Sequence, residues 1–307
     1  MGRYIARRLG QGLIVIAGVT VFVFVVTRMV GDPVKFMLPL SATEEQRDAR
    51  RAELGFDRPI PEQFVDFVGD LGRLDLGDST YVRNTPALEV VFDYLPRTFQ
   101  LVALGMVVAV VCAVPLGVFA ARRPGSVADR TLTTLSLVGL SVPQFFVGFV
   151  LLILFTVRLQ WFESGPGPWT KNLVLPAVCL ALPAIGRLAM VVRSAMIDEL
   201  NTQYVKVAKA KGLSQTRVVA VHALRNAAIP FVTLFGWEVI RAFAGYTVVV
   251  ETVFNWNGLG FMAVQAIQNN DFFLIQAIVF VVAVMVVVIS LLIDVSYKLI
   301  DPRVKLS

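Results

Sequence analysis

Charge is the first thing this chain is short of. Only 16% of its 307 residues are Asp, Glu, Lys or Arg, while 56% are apolar; an average soluble domain has about 25% charged residues. Histidine occurs once, as His222, and cysteine twice, as Cys112 and Cys179. Both thiols sit inside apolar runs without a partner at metal-ligand spacing, so they are expected to be small packing residues. His222 likewise has no ligand-spaced companion, which argues against a metal site. Also missing are a G-x-x-x-x-G-K-[ST] loop, an H-E-x-x-H helix and any Ser/His/Asp arrangement. The chain thus has no phosphate cradle of its own, and an embedded hydrolase or transferase would lack its nucleophile or metal. A channel would call for a filter-like loop or an acidic ring, and neither is evident. The basic excess of +6 flanks apolar runs, which reads as a topology signal rather than a nucleic-acid footprint.

What is abundant is apolar length. A helix needs roughly 20 apolar residues to cross the hydrocarbon core, and six segments qualify, near 9–30, 98–121, 132–157, 173–194, 229–250 and 273–297. The expected fold is an all-α integral membrane protein with six transmembrane helices. The first run follows Arg3, Arg7 and Arg8, but it is longer than a secretory core and no small-x-small site follows. It reads as an uncleaved span. Basic residues gather in the N-terminal tail, around 121–131, across 193–228 and after the last span. Segment 31–97 carries thirteen acids against eight bases, and the connection between spans five and six has Glu251 and Asp271 without a base. By the positive-inside rule both termini are expected in the cytoplasm.

Linear division gives a tail and first span at 1–30, a small extracytoplasmic helical subdomain at 31–97, and a five-span core at 98–307. Within 31–97, Thr43-Glu44-Glu45-Gln46 fits a capping box and Gly55 is placed to end that helix. Phe64, Phe67, Val68 and Leu71 recur at helical spacing. Thr85-Pro86 reads as a cap and first-turn proline leading into span two. This subdomain either docks a soluble partner or merely lids the loops.

The longest basic loop contains "YVKVAKAKGLSQTRVVAVHALRNAAIP" at 204–230. At about 100° per residue, Tyr204, Val205, Val207 and Ala208 share a broad face and Lys206 and Lys209 fall opposite. Gly212 is placed to stop this helix and Ser214 to cap the next. The second helix carries Val218, Val221, His222 and Arg225 on one side. The result is a helical hairpin over 203–226, suited either to lying on anionic headgroups or to sitting in a groove of another protein.

That hairpin resembles the signature loop of ABC-importer permeases, written EAA, three residues, Gly, then Ile-x-Leu-Pro. Lys206-Val207-Ala208 takes the EAA place, Gly212 the glycine, and His222, Leu224 and Arg225 the later positions. The peptide-importer version, Y-V-x-x-A-x-A-K-G-L followed by H-A-L-R-N-A, is matched from Tyr204 through Lys211-Gly212-Leu213 and again over 222–227. Similar stretches run along the chain: "LGFDRPIPEQF" at 54–64, "LPRTFQL" at 95–101, "VPLGVFAARRPGSVADR" at 114–130, "LSVPQFFVG" at 140–148, "VVETVFNWNGLG" at 249–260 and "DPR" at 301–303. The resemblance is to the B-type permease subunit of dipeptide and oligopeptide importers in a bacterial inner membrane. It implies a C-type permease as heterodimeric partner, two cytoplasmic ATPases expected to be non-identical, and an extracytoplasmic peptide-binding protein. ATP and Mg would then belong to the ATPases, with no cofactor on this chain. The coupling contact would be Tyr204, Lys206, Val207, Ala208, Lys209, Lys211, Gly212, Leu213, His222, Leu224 and Arg225. Nickel chelates and glutathione are the alternative cargoes within the same branch.

Charges at membrane depth are costly and stand as functional candidates. Glu238 and Arg241, three residues apart, are expected to share a helix face and would suit either the two charges of a peptide or an internal ion pair. Arg187 and Asp294 are further candidates. Phe145, Phe146, Trp237 and Trp256 are expected mainly as packing or interfacial residues.

Overall fold

The computed structural model describes residues 2–29, 34, 38, 41–82, 85–167 and 169–300, without the side chains of 2–5, 29, 169, 170, 222 and 297–300. The side chains of Arg3 and Lys298, and the whole of the "DPR" motif with Lys305, therefore lie outside what is described. Long apolar stretches become long helices, as the absence of water in lipid requires every backbone group to be bonded within its own segment. In order they are α1 (Gly2–Met29), α2 (Glu44–Glu53), α3 (Ile60–Gly72), α4 (Ala87–Ala121), α5 (Val127–Ser141), α6 (Gln144–Arg158), α7 (Val174–Leu200), α8 (Gln203–Ala210), α9 (Gln215–Phe254), α10 (Leu259–Gln268) and α11 (Phe272–Ile300). A two-residue antiparallel pair, β1 (Asp78–Ser79) and β2 (Thr85–Pro86), sits before α4 with Ser79 opposite Thr85.

Among the described residues, five helices are long and apolar enough to cross a membrane: α1, α4, α7, α9 and α11. The expected third span, 132–157, is not one straight helix. It is the pair α5 and α6, bent by 100° at a short break, and counting it as one span gives six. The cause is local. Proline disfavours the α region for the residue before it, and Val142, ahead of Pro143, is extended at φ −85° and ψ 129°. The expected fifth span also differs, for it has no separate start near 229. The second hairpin helix and the span are one run of 40 residues.

The chain divides into two compact units. One contains residues 1–98 and 257–287; the other contains 99–256 and 288–307. Residues 257–287 thus group with the segment that precedes span two. In the first unit the expected capping box is present, with Thr43 Oγ1 accepting from Gln46 N and Gln46 Oε1 accepting from Thr43 N. Gly55 follows in the left-handed region at φ +69°. Phe64 and Phe67 of α3 pack on Phe24 of α1, with ring centroids 5.2 and 5.5 Å away, while Val68 is exposed. Arg28 lies over the rings of Phe24 and Phe56 and donates to Gln63 Oε1 at 2.9 Å.

Thr85-Pro86 does not form the first turn of α4. It pairs with β1, and Ala87 N donates instead to Gly77 O at 2.9 Å, so the helix begins one residue after Pro86. Asp271 holds this turn. Its buried carboxylate accepts from Ser79 Oγ at 2.5 Å and Tyr81 N at 3.1 Å, and also from Leu274 N at 3.0 Å in the first turn of α11. Replacing a buried acceptor leaves its donors unsatisfied, at about 1–3 kcal/mol. Asp271→Ala is expected to loosen the segment 78–82 by about 2 kcal/mol, read as faster limited proteolysis there in membrane-embedded protein. An unchanged cleavage rate would show that Asp271 does not anchor the turn.

In the second unit, α4 and α7 approach closely at Gly117, where a Cβ would meet Ala189 O at 2.6 Å and Val192 Cβ at 2.7 Å. Small residues at such crossings let membrane helices gain packing contacts. Arg193 of α7 ties to α5 through Asp129. Its Nη2 donates to Asp129 Oδ2 at 2.8 Å and its Nε to Oδ1, while Gly125 N donates to Oδ2 at 2.8 Å. Cys179 is buried and faces the backbone of Gln144, and Cys112 is part-buried and free. No group of three or more metal-ligating side chains occurs among the described residues.

Candidate functional site

The hairpin at 203–226 is built from a short helix, a glycine turn and the start of α9. Thr202 starts α8 with extended backbone. The stop is a Schellman motif, with Leu213 N donating to Ala208 O at 3.3 Å and Gly212 N to Lys209 O at 3.0 Å. Gly212 lies at φ +79°, which a side chain rarely tolerates. Ser214 Oγ then accepts from Arg217 N at 3.4 Å and caps the next helix.

The face assignment differs from the expected one. Val205 and Ala208 are buried against Val218, with Leu200 and Leu213 beside them. Tyr204 and Val207 are exposed, as are Lys206, Lys209 and Lys211. An eight-residue helix packing on one line of neighbours covers only a narrow stripe, and Val207 sits about 160° around the helix from Val205. On the second helix Val218, Val219, Ala223 and Ala227 are buried, whereas Val221 and Arg225 are exposed. The backbone over Val218–Ala223 is a π-helix, whose wider turn shifts the phase from that of an α-helix. Leu224 packs beside the cluster of Val192, Met196, Val219 and Ala223. The His222 side chain lies outside the described residues.

Two residues not singled out in the sequence complete the hairpin. Tyr204 Oη donates to Glu199 Oε2, and Asn226 Nδ2 donates to Tyr204 Oη at 2.9 Å and to Glu199 Oε2 at 3.4 Å. This clasp joins the end of α7, the start of α8 and α9. Partial burial and the neighbouring Glu199 carboxylate push the Tyr204 phenol up from its ordinary value. The apolar underside and the clasp hold α8 to two spans while its basic rim is left open. Asn226 stands inside the quoted "HALRNA" run, so the signal was present; Glu199 gave none beyond its charge.

The second site lies along α7 and α9. Glu238 accepts a bidentate pair from Arg187, Nε to Oε1 at 2.6 Å and Nη2 to Oε2 at 2.7 Å. Arg241 Nη1 adds 2.9 Å to Oε1. The Glu238 side chain is 1% exposed, Arg187 21% and Arg241 43%. The expected Glu238–Arg241 pair is thus a triad, and Arg187 is its stronger partner. Asp294 is half-buried on α11. Of the aromatic candidates, Trp256 is buried, and Phe145, Phe146 and Trp237 are exposed on this chain.

Comparison with known proteins accounts for this architecture. The family model described as the inner membrane component of binding-protein-dependent transport systems matches residues 113–306. A probable peptide ABC transporter permease of Sinorhizobium fredii is 37% identical, covering 99% of this chain and 100% of that protein. An oligopeptide transport system permease of Bacillus subtilis is 34% identical, with the same coverage of both. Among solved structures, the methionine ABC transporter MetNI in its inward-facing native crystal form aligns at a TM-score of 0.56 and 17% identity. That alignment covers 69% of this chain and 96% of that one, and carries the likeness of fold alone. The sequence family and the helical architecture agree: this chain belongs to the inner membrane components of binding-protein-dependent transport systems and has the type I permease fold of an ABC importer.

Proposed function

We propose that the chain forms half of the translocation path for dipeptides and short oligopeptides in an ATP-driven importer. The observation that carries this reading is full-length similarity to peptide permeases, joined to a hairpin with a braced base and an open basic rim. In this reading the termini and the hairpin are cytoplasmic, following the distribution of loop charge. Segment 31–97 is extracytoplasmic and faces the binding protein. A C-type permease supplies the other half of the path, and two non-identical ATPases bind ATP and Mg.

Alternating access follows from rigid-body motion. Closure of the ATPases on ATP draws the hairpins together, and the helices move with them because α8 is tied to α7 and α9. Cargo released by the binding protein enters the outward-facing path, and hydrolysis returns the path to the cytoplasm. The coupling contact is Tyr204, Lys206, Val207, Lys209 and Lys211 on the open side of α8 with Arg225 of α9, while Ala208, Gly212, Leu213 and Leu224 hold its shape. Arg187, Glu238 and Arg241 border the path.

The test is reconstitution. Affinity-tagged chain expressed with its genomic neighbours is expected to bring down a second permease and two ATPases. Proteoliposomes holding that complex are expected to take up a labelled dipeptide only with ATP and binding protein present. Purification without an ATPase would overturn the importer reading. Uptake of glutathione or a nickel chelate in place of peptide would overturn the assigned cargo.

A further inference from the structure

The triad has an unbalanced charge. Two guanidiniums share one carboxylate, so the cluster carries a net +1, and it sits where charge is expensive. Arg187 is at the middle of α7 (Val174–Leu200), and Glu238 and Arg241 lie well inside the 40-residue α9. Glu238 is enclosed by its two guanidinium partners. Both of its oxygens are taken and its side chain is 1% exposed. It is therefore closed to the ammonium group of a peptide. Arg241 differs: Glu238 holds its Nη1 alone, the side chain is 43% exposed, and no described residue takes its Nε or Nη2.

The backbone beside it is also unusual. Directly after Arg241 the helix opens into a π-turn, Ala242–Tyr246, closed by Thr247 Oγ1 donating to Ala242 O at 3.0 Å. Such turns insert a residue at some cost and gather at functional sites. Tyr246 in this turn lies 5.8 Å from the Arg187 guanidinium, so the π-turn and the triad form one assembly. Arg187, forked onto Glu238, is the fixed half. Arg241, held by one nitrogen, is the half that can take a further planar anion at two nitrogens, the geometry that guanidinium offers a carboxylate.

We propose that Arg241, held by the Arg187–Glu238 pair, is the mid-membrane binding group for the free C-terminal carboxylate of the peptide cargo. This rests on the peptide-importer reading above. The site is a specificity element, since a carboxylate neutralises the cluster whereas an amide leaves one positive charge unpaired in the path.

The test is a rate ratio in proteoliposomes of the complete importer, with dialanine and dialanine amide as probes. The ratio of acid to amide uptake cancels losses of assembly, which lower both rates alike. Arg241→Gln removes the charge and leaves the Arg187–Glu238 fork, and is expected to lower the ratio by at least about tenfold, in line with the loss of one charge-assisted bond. Arg241→Lys keeps the charge but loses the two-nitrogen fork, and its ratio is expected to fall between those of wild type and Arg241→Gln. An unchanged ratio in Arg241→Gln, or a ratio in Arg241→Lys no higher than that in Arg241→Gln, overturns the proposal and leaves the importer reading intact. Wild-type complex that takes up neither probe, with ATPase and binding protein active, overturns the peptide reading itself and this proposal with it.

Discussion

Glu238→Gln is expected to lower the amount of folded chain in the membrane several-fold and to give early thermal unfolding of what remains. The carboxylate is the only anion between Arg187 and Arg241 in the triad. Without it, two guanidiniums face each other beside a neutral amide in the middle of two spans. Removing one partner of a buried ion pair costs about 3–5 kcal/mol, and Arg187, 21% exposed, would keep its charge with little water and no counterion. That is a large part of the 5–15 kcal/mol that typically holds a domain together. The expectation has a built-in control. Replacing all three residues, as Arg187→Met, Glu238→Leu and Arg241→Leu, removes the stranded charge and is expected to restore accumulation, since apolar replacement of a buried ionic cluster is often neutral or stabilising. Membrane abundance and a detergent melting curve check both variants. Normal abundance of Glu238→Gln would show that water reaches the triad freely and that the carboxylate is not structural.

The triad also shows how far the sequence could be read. Composition and apolar run length are enough for an all-helical membrane chain, because crossing lipid imposes helix length directly. The hairpin was legible too. Gly212 and Ser214 carry their own backbone chemistry, and each performs the expected local role. Faces were less legible. Val207 shares apolarity with Val205 but is exposed, since burial depends on where α7 and α9 stand and not on α8 alone. Long-range polar partners were the least legible. Glu238 and Arg241 are three apart in one helix, whereas Arg187 is 51 residues away, and only the packing of α7 on α9 brings it in. Ser79 and Asp271 are 192 residues apart and carry no mutual signal. The bend at Pro143 had a signal in the proline itself. A proline alone does not mark a bend, because transmembrane helices often absorb it, as α4 does at Pro96 and Pro115.

The other large effect is expected at the turn of the hairpin. Gly212→Val is expected to cut ATP-dependent uptake by at least about tenfold while ATP hydrolysis by the assembled complex continues, consistent with loss of about 1–2 kcal/mol of turn stability and more for a branched residue. The argument separates conformation from contact. A Cβ built at Gly212 meets nothing within 4 Å on this chain, so steric exclusion by neighbours cannot be the cause. The φ of +79° can. Forcing it toward negative values breaks the bonds from Gly212 N to Lys209 O and from Leu213 N to Ala208 O, and frees Leu213 from the cluster under α8. The lever then pivots at its tip instead of moving α7 and α9. If backbone conformation is the cause, substitutions should rank by tolerance of the left-handed region, with Gly212→Asn nearest wild type, Gly212→Ala lower and Gly212→Val lowest. Uptake per ATP hydrolysed, measured in proteoliposomes, gives that order directly. Asn as damaging as Val would mean that the absence of a side chain, and so close approach by a partner, is what the position requires. Normal coupling in Gly212→Val would remove the turn from the path by which ATP hydrolysis reaches the membrane helices.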